Sequence, residues 1–515
     1  MSWQSEIDEL KARQRLAAQM GGKEKIERQR AGGKLTVRER IEQLLDAGSF
    51  HEIGALAGRG QYDDNGKLID FTPANFVMGR GLIDGRAVVV GGDDFTVRGG
   101  AMDAAIGSKQ VYAEQMANEL LLPIVRLVDG TGGGGSVKLL ETDGRTYVPY
   151  CQGWDLVVDN LAKVPVVGLG LGSVAGLGSA RLVSSHYSVM VQGISQMFVA
   201  GPPLVARTGE ITTKEELGGS EICARAGAID EVVETEAQAF ACARRFLSYL
   251  PANVFELPPR GPVTDAPDRR DEWLIEAIPR DRRKVYDMRK IIEALLDSGS
   301  FFEFASQYGS AAITGLGRLD GWPVALLASD PYHYGGGWTA DAAIKITRFI
   351  DFAHTFHLPV VNLVDVPGFL IGKQAEVDGT IRHGARALAA LYQADVPWCS
   401  ILVRRAFGVA GAAHANHTRL AYRYAWPSGD WGSLPIEGGI EAAYRAELQA
   451  AADPAQRRAE IEQRLNRFRS PFLTAEAFLV EEIIDPRDTR RLLCEFANLA
   501  APLRKPGVVA TGFRP

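Results

Sequence analysis

The distribution of apolar residues along the chain predicts an α/β fold. Short apolar runs such as Ala87–Val90 are followed by a glycine turn, by a longer segment with helical spacing and by a second apolar run that ends at Asp129. Strands that alternate with helices in this way favour a parallel sheet covered by helices.

This pattern occurs twice in the chain. Residues 79–130 align without a gap on residues 315–366, and the motif LLDAGSF at 44–50 recurs as LLDSGSF at 295–301. Further along, residues 164–178 correspond to residues 396–411. The residue pairs that coincide are Asp84 and Asp320, Gly85 and Gly321, Gly99 and Gly335, Lys109 and Lys345, Pro123 and Pro359, and Asp129 and Asp365.

The repeat predicts two domains of the same fold, residues 1–255 and 256–515. Residues 251–285 are rich in proline and charged residues, which is typical of a linker. The chain has 515 residues, more than a single hydrophobic core usually serves. A duplicated fold does not by itself determine a function, because one fold hosts many chemistries.

Composition and charge exclude several classes of protein. With 46% hydrophobic and 23% charged residues, the chain is expected to be compact. Its formal net charge of −6 gives no general attraction to nucleic acid or anionic membranes. The first 30 residues lack the apolar region of a signal peptide, and no stretch approaches the roughly 20 apolar residues of a membrane span. The five cysteines are scattered and lack CxxC spacing, which argues against a disulfide framework or a zinc site and favours a reducing cytoplasm.

Each half contains a loop of glycine and small residues that follows an apolar run and leads into a helical segment. The loops are Gly172–Ala180 in the first half and Ala406–Ala412 in the second. Small residues let a ligand approach the backbone, and N–H groups at the start of a helix can hold an oxyanion. Such glycines also serve close packing of helix on sheet, but two loops at matching places in a repeat favour a ligand.

Other catalytic motifs are missing. The sequence has no GxSxG elbow, no GxxxxGK[ST] loop, no HExxH and no paired Cys/His spacing. The run GGDD at 91–94 is interpreted as a turn between strands rather than as a metal site. Two anion-stabilising loops without an obvious nucleophile or metal suit enolate chemistry with a cofactor supplied from outside.

Seven segments carry a resemblance to a known family, the carboxyltransferase β subunits of biotin-dependent acyl-CoA carboxylases such as propionyl-CoA carboxylase. The resemblance runs in order from about residue 30 to residue 495, nearly the whole chain. The segments are GGKLTVRERIEQLLDAGSFHE (32–52), DDFTVRGG (93–100), FVAGPPLVARTGEITTKEELGG (198–219), FLSYLPAN (246–253), LVDVPGFLIG (363–372), IRHGARAL (381–388) and YAWPSGDWG (424–432).

The resemblance implies two tandem crotonase-like domains, with acyl-CoA bound by residues 1–255 and biotin by residues 256–515. A partner subunit that carries biotin carboxylase and the biotin carboxyl carrier would deliver carboxybiotin, and no metal would be bound by this chain. Family members are usually homohexamers built as dimers of trimers. We accordingly expect a cytoplasmic enzyme that transfers a carboxyl group to the α-carbon of an acyl-CoA, without nucleic-acid or membrane partners.

The resemblance also assigns site residues. Backbone N–H groups of Gly176 and Leu177 would hold the thioester oxygen, and those of Gly408 and Val409 the ureido oxygen of biotin. The expected contacts around them are Ala175, Gly178, Phe407, Ala410, Gly368 and Phe369. Candidates for a patch that binds the CoA phosphates are Arg98, Lys109, Lys138 and Lys163.

Both loops depart from the family pattern. The first reads Ala-Gly-Leu-Gly at 175–178 instead of Ala-Gly-Gly-Ala, and the second reads Phe-Gly-Val-Ala at 407–410 instead of Tyr-Gly-Gly-Ala. An acidic residue that often follows the second loop in the family is replaced near Ala412, and the family's Asp-Ser-Gly-Gly-Ala becomes the glycine run of residues 129–135. Leu177 and Val409 add bulk and lack the wide φ range of glycine. These departures leave open an altered acyl pocket or a non-catalytic assembly subunit. An acyl-CoA decarboxylase, which runs the same site in reverse, stays open as well, whereas a stand-alone crotonase-type hydratase or isomerase is disfavoured because residues 172–180 offer no pair of carboxylates.

Overall fold

The computed structural model describes residues 2–101, 106–130, 140–141, 144–420 and 422–515. The chain forms two compact units. The first comprises Met1–Glu256 together with Gly512–Pro515, and the second comprises Leu257–Thr511.

The first unit is built around a seven-stranded sheet in the order β1-β4-β5-β6-β7-β9-β11. The pairs β1–β4 and β4–β5 are antiparallel, and the pairs from β5 to β11 are parallel. Two small sheets, β2–β3 and β8–β10, lie outside it. The strands are β1 His51–Ile53, β2 Gly58–Tyr62, β3 Leu68–Pro73, β4 Phe76–Ile83, β5 Arg86–Asp93, β6 Ile124–Val128, β7 Val166–Gly170, β8 Ser173–Ala175, β9 Tyr187–Val191, β10 Gln196–Phe198 and β11 Glu231–Val233.

Helices cover this sheet, as a parallel sheet with buried faces requires. The central strands β6, β7 and β9 are buried along their whole length. The helices are α1 Gln4–Ala18, α2 Lys23–Ala31, α3 Val37–Leu44, α4 Gly107–Leu120, α5 Trp154–Asn160, α6 Leu177–Val183, α7 Pro202–Val205, α8 Lys214–Gly218, α9 Ser220–Arg225 and α10 Glu236–Ser248.

The second unit repeats the architecture. Its main sheet has the order β12-β13-β14-β15-β16-β17-β19, with antiparallel pairs as far as β14 and parallel pairs beyond, and β18 pairs with β16. The strands are β12 Phe302–Glu303, β13 Ala312–Leu319, β14 Trp322–Ser329, β15 Val360–Val366, β16 Trp398–Phe407, β17 Tyr422–Ala425, β18 Asp430–Gly432 and β19 Glu482–Ile483. The helices are α11 Met288–Leu295, α12 Ala340–Thr355, α13 Lys373–Val377, α14 Thr380–Gln393, α15 Gly408–Ala412, α16 Ile436–Ala443, α17 Arg445–Ala450, α18 Pro454–Asn466, α19 Pro471–Glu476 and α20 Thr489–Ala500.

The first hairpin of each unit shows how closely the halves correspond. The turn residues Asp84 and Asp320 both have a φ of 50°, and the glycines that follow them both have a φ of 78°. Two successive positive φ angles define a type I′ turn, for which Asp-Gly is well suited. The carboxylate of Asp46 accepts the turn N–H groups in the first unit, and that of Asp297 accepts them in the second.

One local prediction was wrong. The run GGDD at 91–94 is not a turn, because Gly91–Asp93 continue strand β5. A β-carbon at Gly91 would lie 2.7 Å from the ring of Phe76, so this glycine makes room for an aromatic ring from the neighbouring strand. Among the residues that the structure describes, no helix combines the length and apolar character of a membrane span.

Candidate active site

The first glycine loop begins where β7 ends and runs through β8 into helix α6. Gly176, the residue before the helix, has a φ of 61° and a ψ of −123°. These angles match the first central position of a type II′ turn, which favours glycine strongly. The chain therefore needs glycine at position 176 to enter the helix.

The predicted donors of the first loop differ in their hydrogen bonding. The N–H of Gly176 donates to the carbonyl of Phe198 at 3.3 Å, and the hydroxyl of Ser179 donates to the same oxygen at 3.0 Å. Leu177 is the first residue of α6, and an N–H at that position has no acceptor within its own helix. Of the two predicted donors, Gly176 is thus already engaged, and its part in binding an oxyanion stays a prediction.

The second glycine loop follows β16 directly. Gly408, the first residue of α15, also has a φ of 61°, and Gly411 packs so closely on Ala406 that a β-carbon there would lie 2.5 Å from the carbonyl carbon. Phe407 is buried and pairs with Gly432 of β18. The backbone thus turns sharply at equivalent glycines in both units.

The substituted positions do not need glycine. Leu177 and Val409 are absent from the residues with positive φ, so a β-carbon is accommodated at both places without backbone strain. Their side chains are exposed, by 39% for Leu177 and 52% for Val409. Leucine and valine therefore do not distort the backbone of the loops. Their side chains still add bulk beside a bound ligand.

The motif VPGF lies beside the second loop. A β-carbon on Gly368, which has a φ of 129°, would lie 3.8 Å from the carbonyl oxygen of Phe407. The ring of Phe369 instead packs edge-on against Trp338 at 6.0 Å and covers Gly384. Gly368 is thus placed next to the loop, while Phe369 has a packing role in the structure described. Ala175 and Gly178 are partly buried in the first loop, and Ala410 is buried in the second.

The proposed phosphate patch is not assembled from the expected residues. Lys109 is buried and its ammonium donates to the carbonyl of Phe76 at 2.6 Å, so the prediction that it binds phosphate was wrong. Lys163 pairs with Asp159, and Arg98 is exposed. Lys138 and most of the glycine run 129–135 lie outside the described residues.

Sequence reasoning missed two buried carboxylates that lie beside the loops. Asp129 and Asp365 are both completely buried. Burial opposes ionisation of Asp365, but hydrogen bonds and charge from Arg405 and Arg404 outweigh it and hold the pKa of Asp365 below its usual value. The only signal in the sequence was that both aspartates end equivalent apolar runs.

A cleft of about 1320 Å³ opens in the second unit next to its loop. Its lining includes Pro367, Arg405 and Phe407 beside the loop, and also Arg282, Asp430 and Arg469. Asp430 pairs with both of those arginines. The cleft thus reaches Phe407, the last residue of β16 before the second loop.

Comparisons with known proteins agree with this arrangement. The carboxyl transferase domain family matches residues 28–506. The carboxyltransferase subunit of propionyl-CoA carboxylase from Haloferax mediterranei is 33% identical over 509 residues, with 98% of each chain covered. The beta4 subunit of the biotin-dependent long chain acyl-coenzyme A carboxylase from Mycobacterium tuberculosis is 34% identical over 499 residues, covering 96% of this chain and 94% of the relative.

A solved structure shows the same fold. The transcarboxylase 12S hexamer, with methylmalonyl-coenzyme A and methylmalonic acid bound, superposes with a TM-score of 0.87 at 31% identity, covering 100% of this chain and 97% of that one. The duplicated α/β units are the tandem crotonase-like domains of these proteins. The chain therefore belongs to the carboxyl transferase domain family of enzymes.

Proposed function

We propose that this chain transfers a carboxyl group from N-carboxybiotin to the α-carbon of an acyl-CoA thioester. The observation that carries the proposal is the pair of glycine loops, each of which follows a central strand, turns at a glycine with a φ of 61° and leads into a helix. Both substrates develop negative charge on an oxygen, and a fixed N–H donor stabilises such charge by about 3 kcal/mol. Two loops in one duplicated chain fit a reaction with two oxyanions.

The first loop is assigned to the thioester. The N–H of Leu177, at the start of α6, holds the oxygen that becomes an enolate, and Gly176 contributes its N–H once the bond to Phe198 opens. Ala175 and Gly178 flank these donors. A β-carbon at Gly176 would meet no atom within 4 Å, so there is room for a ligand oxygen here.

The second loop is assigned to biotin. Gly408 and Val409 hold the ureido oxygen through their N–H groups, and Phe407, Ala410 and Gly368 form the surrounding wall, with Phe369 behind it. A β-carbon at Gly408 would meet only the carbonyl of Ser433, at 3.5 Å, so the loop leaves room for a flat ring system.

The chemistry needs no base from the protein. N-carboxybiotin supplies carbon dioxide when its N–C bond breaks, and the same nitrogen takes the α-proton of the thioester. One N–C and one C–H bond break, while one N–H and one C–C bond form. The chain contributes stabilisation of charge and exclusion of water, which accounts for the missing nucleophile and metal motifs.

The wider assignments follow from the same proposal. Residues 1–255 bind the acyl-CoA, residues 256–515 bind biotin, and a partner with biotin carboxylase and carrier activities supplies the carboxyl group. A homohexamer is proposed because the transcarboxylase 12S relative is one. A cytoplasmic location fits the five cysteines, all of which are free.

A reconstituted assay tests the function and its substrate. The purified chain is incubated with its cognate biotinylated partner, ATP, labelled bicarbonate and acyl-CoAs from acetyl to long-chain. We expect acid-stable label in at least one acyl-CoA and none when avidin blocks the biotin. Absence of product from every thioester would overturn the proposal and favour an assembly subunit. The relatives named for propionyl-CoA and for long-chain acyl-CoA are similarly distant from this chain, at 33% and 34% identity. Sequence identity therefore does not select the acyl group, and the panel of acyl-CoAs in the assay does.

A further inference from the structure

The two buried aspartates touch the backbone that leads into each glycine loop. Asp129 directly follows β6, and Asp365, at the equivalent position, is the next-to-last residue of β15. Neither carboxylate has any exposed surface. A buried charge of this kind is costly unless charged partners and hydrogen bonds compensate it.

In the second unit, the carboxylate of Asp365 accepts hydrogen bonds from two segments, strand β16 and the residue Tyr286. Arg404 donates to it through Nε at 3.1 Å and Nη2 at 2.9 Å, and Arg405 through Nε at 2.6 Å, Nη2 at 3.1 Å and its backbone N–H at 3.1 Å. The hydroxyl of Tyr286 donates at 2.9 Å, and the ring of Tyr286 lies under the guanidinium of Arg404 at 4.8 Å. The carboxylate therefore fixes the end of β16, three residues before Gly408.

Arg405 extends this network to a turn whose residues have positive φ angles. Its Nη2 donates to the carbonyl of Gly335 at 2.5 Å. Gly335 lies in the turn Tyr334–Gly336, whose three residues all have positive φ. The turn, β15 and the start of the second loop are consequently joined through one side chain.

In the first unit, different residues compensate the charge of the equivalent carboxylate, Asp129. Lys34 lies 3.1 Å and Arg40 2.9 Å from Asp129, and Arg40 also donates to the carbonyl of Leu171 at 2.7 Å. Leu171 precedes the loop. A β-carbon at Gly172 would lie 1.9 Å from the carboxylate of Asp129, so the aspartate packs directly on the first loop residue.

The aspartates descend from the duplication, but their cations do not. Val166 of β7 and Trp398 of β16 occupy equivalent places in the strand register, and counting on from them puts Gly172 in the place of Arg404. The first unit uses Lys34 and Arg40 from its N-terminal segment instead. The two aspartates are thus compensated by cations from different parts of the chain. This indicates that each glycine loop requires a compensated carboxylate beside it, and that the arrangement is not simply packing inherited from the duplication.

We propose that Asp129 and Asp365, each with its own pair of cations, are positioning residues that set the glycine loop of their unit and hence the affinity for that loop's substrate. The inference rests on the proposed assignment of the thioester to the first loop and biotin to the second. A fully satisfied buried network holds one arrangement of the backbone, which is what an oxyanion site needs.

Two mild substitutions separate the units. Tyr286→Phe removes one donor to Asp365 and keeps the ring under Arg404, while Lys34→Met removes one cation from Asp129 at a partly accessible position. Hydrogen exchange of the loop peptides, and calorimetric binding of free biotin and of an acyl-CoA that the wild type accepts, are measured for each. Tyr422→Phe, in an aromatic contact with Phe496 at 5.2 Å, is the control in the second unit.

We expect Tyr286→Phe to speed exchange of residues 407–412 and to weaken biotin binding about tenfold while acyl-CoA binding is unchanged. Lys34→Met is expected to do the reverse, with faster exchange of residues 172–180 and weaker acyl-CoA binding. Tyr422→Phe should leave both affinities unchanged.

Lower melting temperatures with unchanged loop exchange, or equal loss of both ligands in both variants, would overturn the inference, because a merely structural network acts on the whole unit. Arg405→Lys keeps the positive charge but removes the guanidinium that joins Asp365 to the carbonyl of Gly335, and it should likewise speed exchange of residues 407–412. If the reconstituted assay gives no product from any thioester, the proposed function fails, and loop exchange alone still decides whether the network positions the loops.

Discussion

Two glycines determine the backbone of the candidate site, and their neighbours do not. Gly176 and Gly408 have the same φ of 61°, whereas Leu177 and Val409 have ordinary backbone angles. A comparison of loop sequences treats all four positions alike, because it cannot tell a glycine required for its φ from one that only leaves space. The structure separates these two reasons.

This distinction predicts opposite results for neighbouring substitutions. Gly176→Ala introduces no clash, since nothing lies within 4 Å of the added carbon, but it forces a non-glycine residue to a φ of 61° at a cost of about 1–3 kcal/mol. We expect the loop to shift and kcat/KM for the acyl-CoA to fall at least roughly tenfold. Leu177→Ala should keep the wild-type melting temperature and broaden the range of acyl chains accepted.

Steady-state kinetics and thermal unfolding of both variants check this pair. The expectation is wrong if Leu177→Ala loses as much activity as Gly176→Ala, because the leucine would then hold the loop itself.

At the scale of elements, equivalent helices in the two units each carry a buried lysine that donates to a strand carbonyl. Lys109 of α4 donates to the carbonyl of Phe76 at 2.6 Å, and Lys345 of α12 donates to that of Ala312 at 2.7 Å. Burial lowers the pKa of Lys109. These lysines were aligned from the sequence, but their role depends on the fold, since each acceptor lies 33 residues earlier in the chain.

Removing either lysine should destabilise its own unit by a similar amount. Lys109→Met and Lys345→Met leave a buried strand carbonyl without a donor, at about 1–3 kcal/mol each. Chemical denaturation, with limited proteolysis to identify the unit that opens, measures the effect. Lys290→Met, at an exposed lysine of α11, serves as control and should change little. Unequal losses would mean that the two contacts are not equivalent.

Helix α15, which carries the second loop, is anchored at its far end by His414. The carbonyl of His414 accepts hydrogen bonds from Trp398 at 2.8 Å and Ser400 at 2.6 Å. The ring donates through Nδ1 to the carbonyl of Gly411 at 2.7 Å and accepts from Arg423 through Nε2 at 3.3 Å. Burial, assisted by the charge of Arg423, lowers the pKa of His414 to about 4.

His414 therefore makes the second unit sensitive to acid. Because its pKa is lower in the folded than in the unfolded protein, the unfolded state binds more protons between pH 6.5 and 4. The contribution is fully present above pH 6.5 and is lost as the pH falls through about 4, amounting to about 3 kcal/mol. His414→Gln should lose less stability than the wild type between pH 7.5 and 4.5 when melting temperatures are compared. Identical pH dependence of the two proteins would contradict the assignment.

The sequence predicted the repeated elements well because apolar periodicity and turn residues are local signals. Both glycine loops follow from such signals, and so does the correspondence of Asp84-Gly85 with Asp320-Gly321, although the hairpin turns that these pairs form became visible only in the structure. The networks around Asp129 and Asp365 do not, because Arg40 lies 89 residues from the first aspartate and Tyr286 lies 79 residues from the second. The run at 91–94 was misread for a related reason: Gly91 makes room for the ring of Phe76 and Gly92 for the side chain of Val37, and both contacts are distant in sequence.

At the scale of the whole molecule, the division into units does not follow the order of the chain completely. The last four residues, Gly512–Pro515, belong to the first unit although the second unit precedes them. Phe513 is only 5% exposed, and its ring lies 4.6 Å from that of His186. His186 in turn accepts the N–H of Val166, the first residue of β7, at 3.0 Å, so the chain end supports the strand that leads into the first loop.

Removing the ring of Phe513 should therefore weaken the first unit and not the second. Phe513→Ala deletes a buried aromatic side chain, and we expect a loss of up to about 3 kcal/mol, since a tail can relax more than a core element. Limited proteolysis should then cut within residues 1–256 earlier than in the wild type, while residues 257–511 stay intact. Phe478→Ala, the same change at a side chain that is 75% exposed, is the matched control and should leave the pattern unchanged. If the Phe513 variant and the wild type resist proteolysis equally, the chain end contributes nothing to the stability of the first unit. If early cleavage is confined to the first unit, the chain end is one of the elements that hold β7 and the first glycine loop in place.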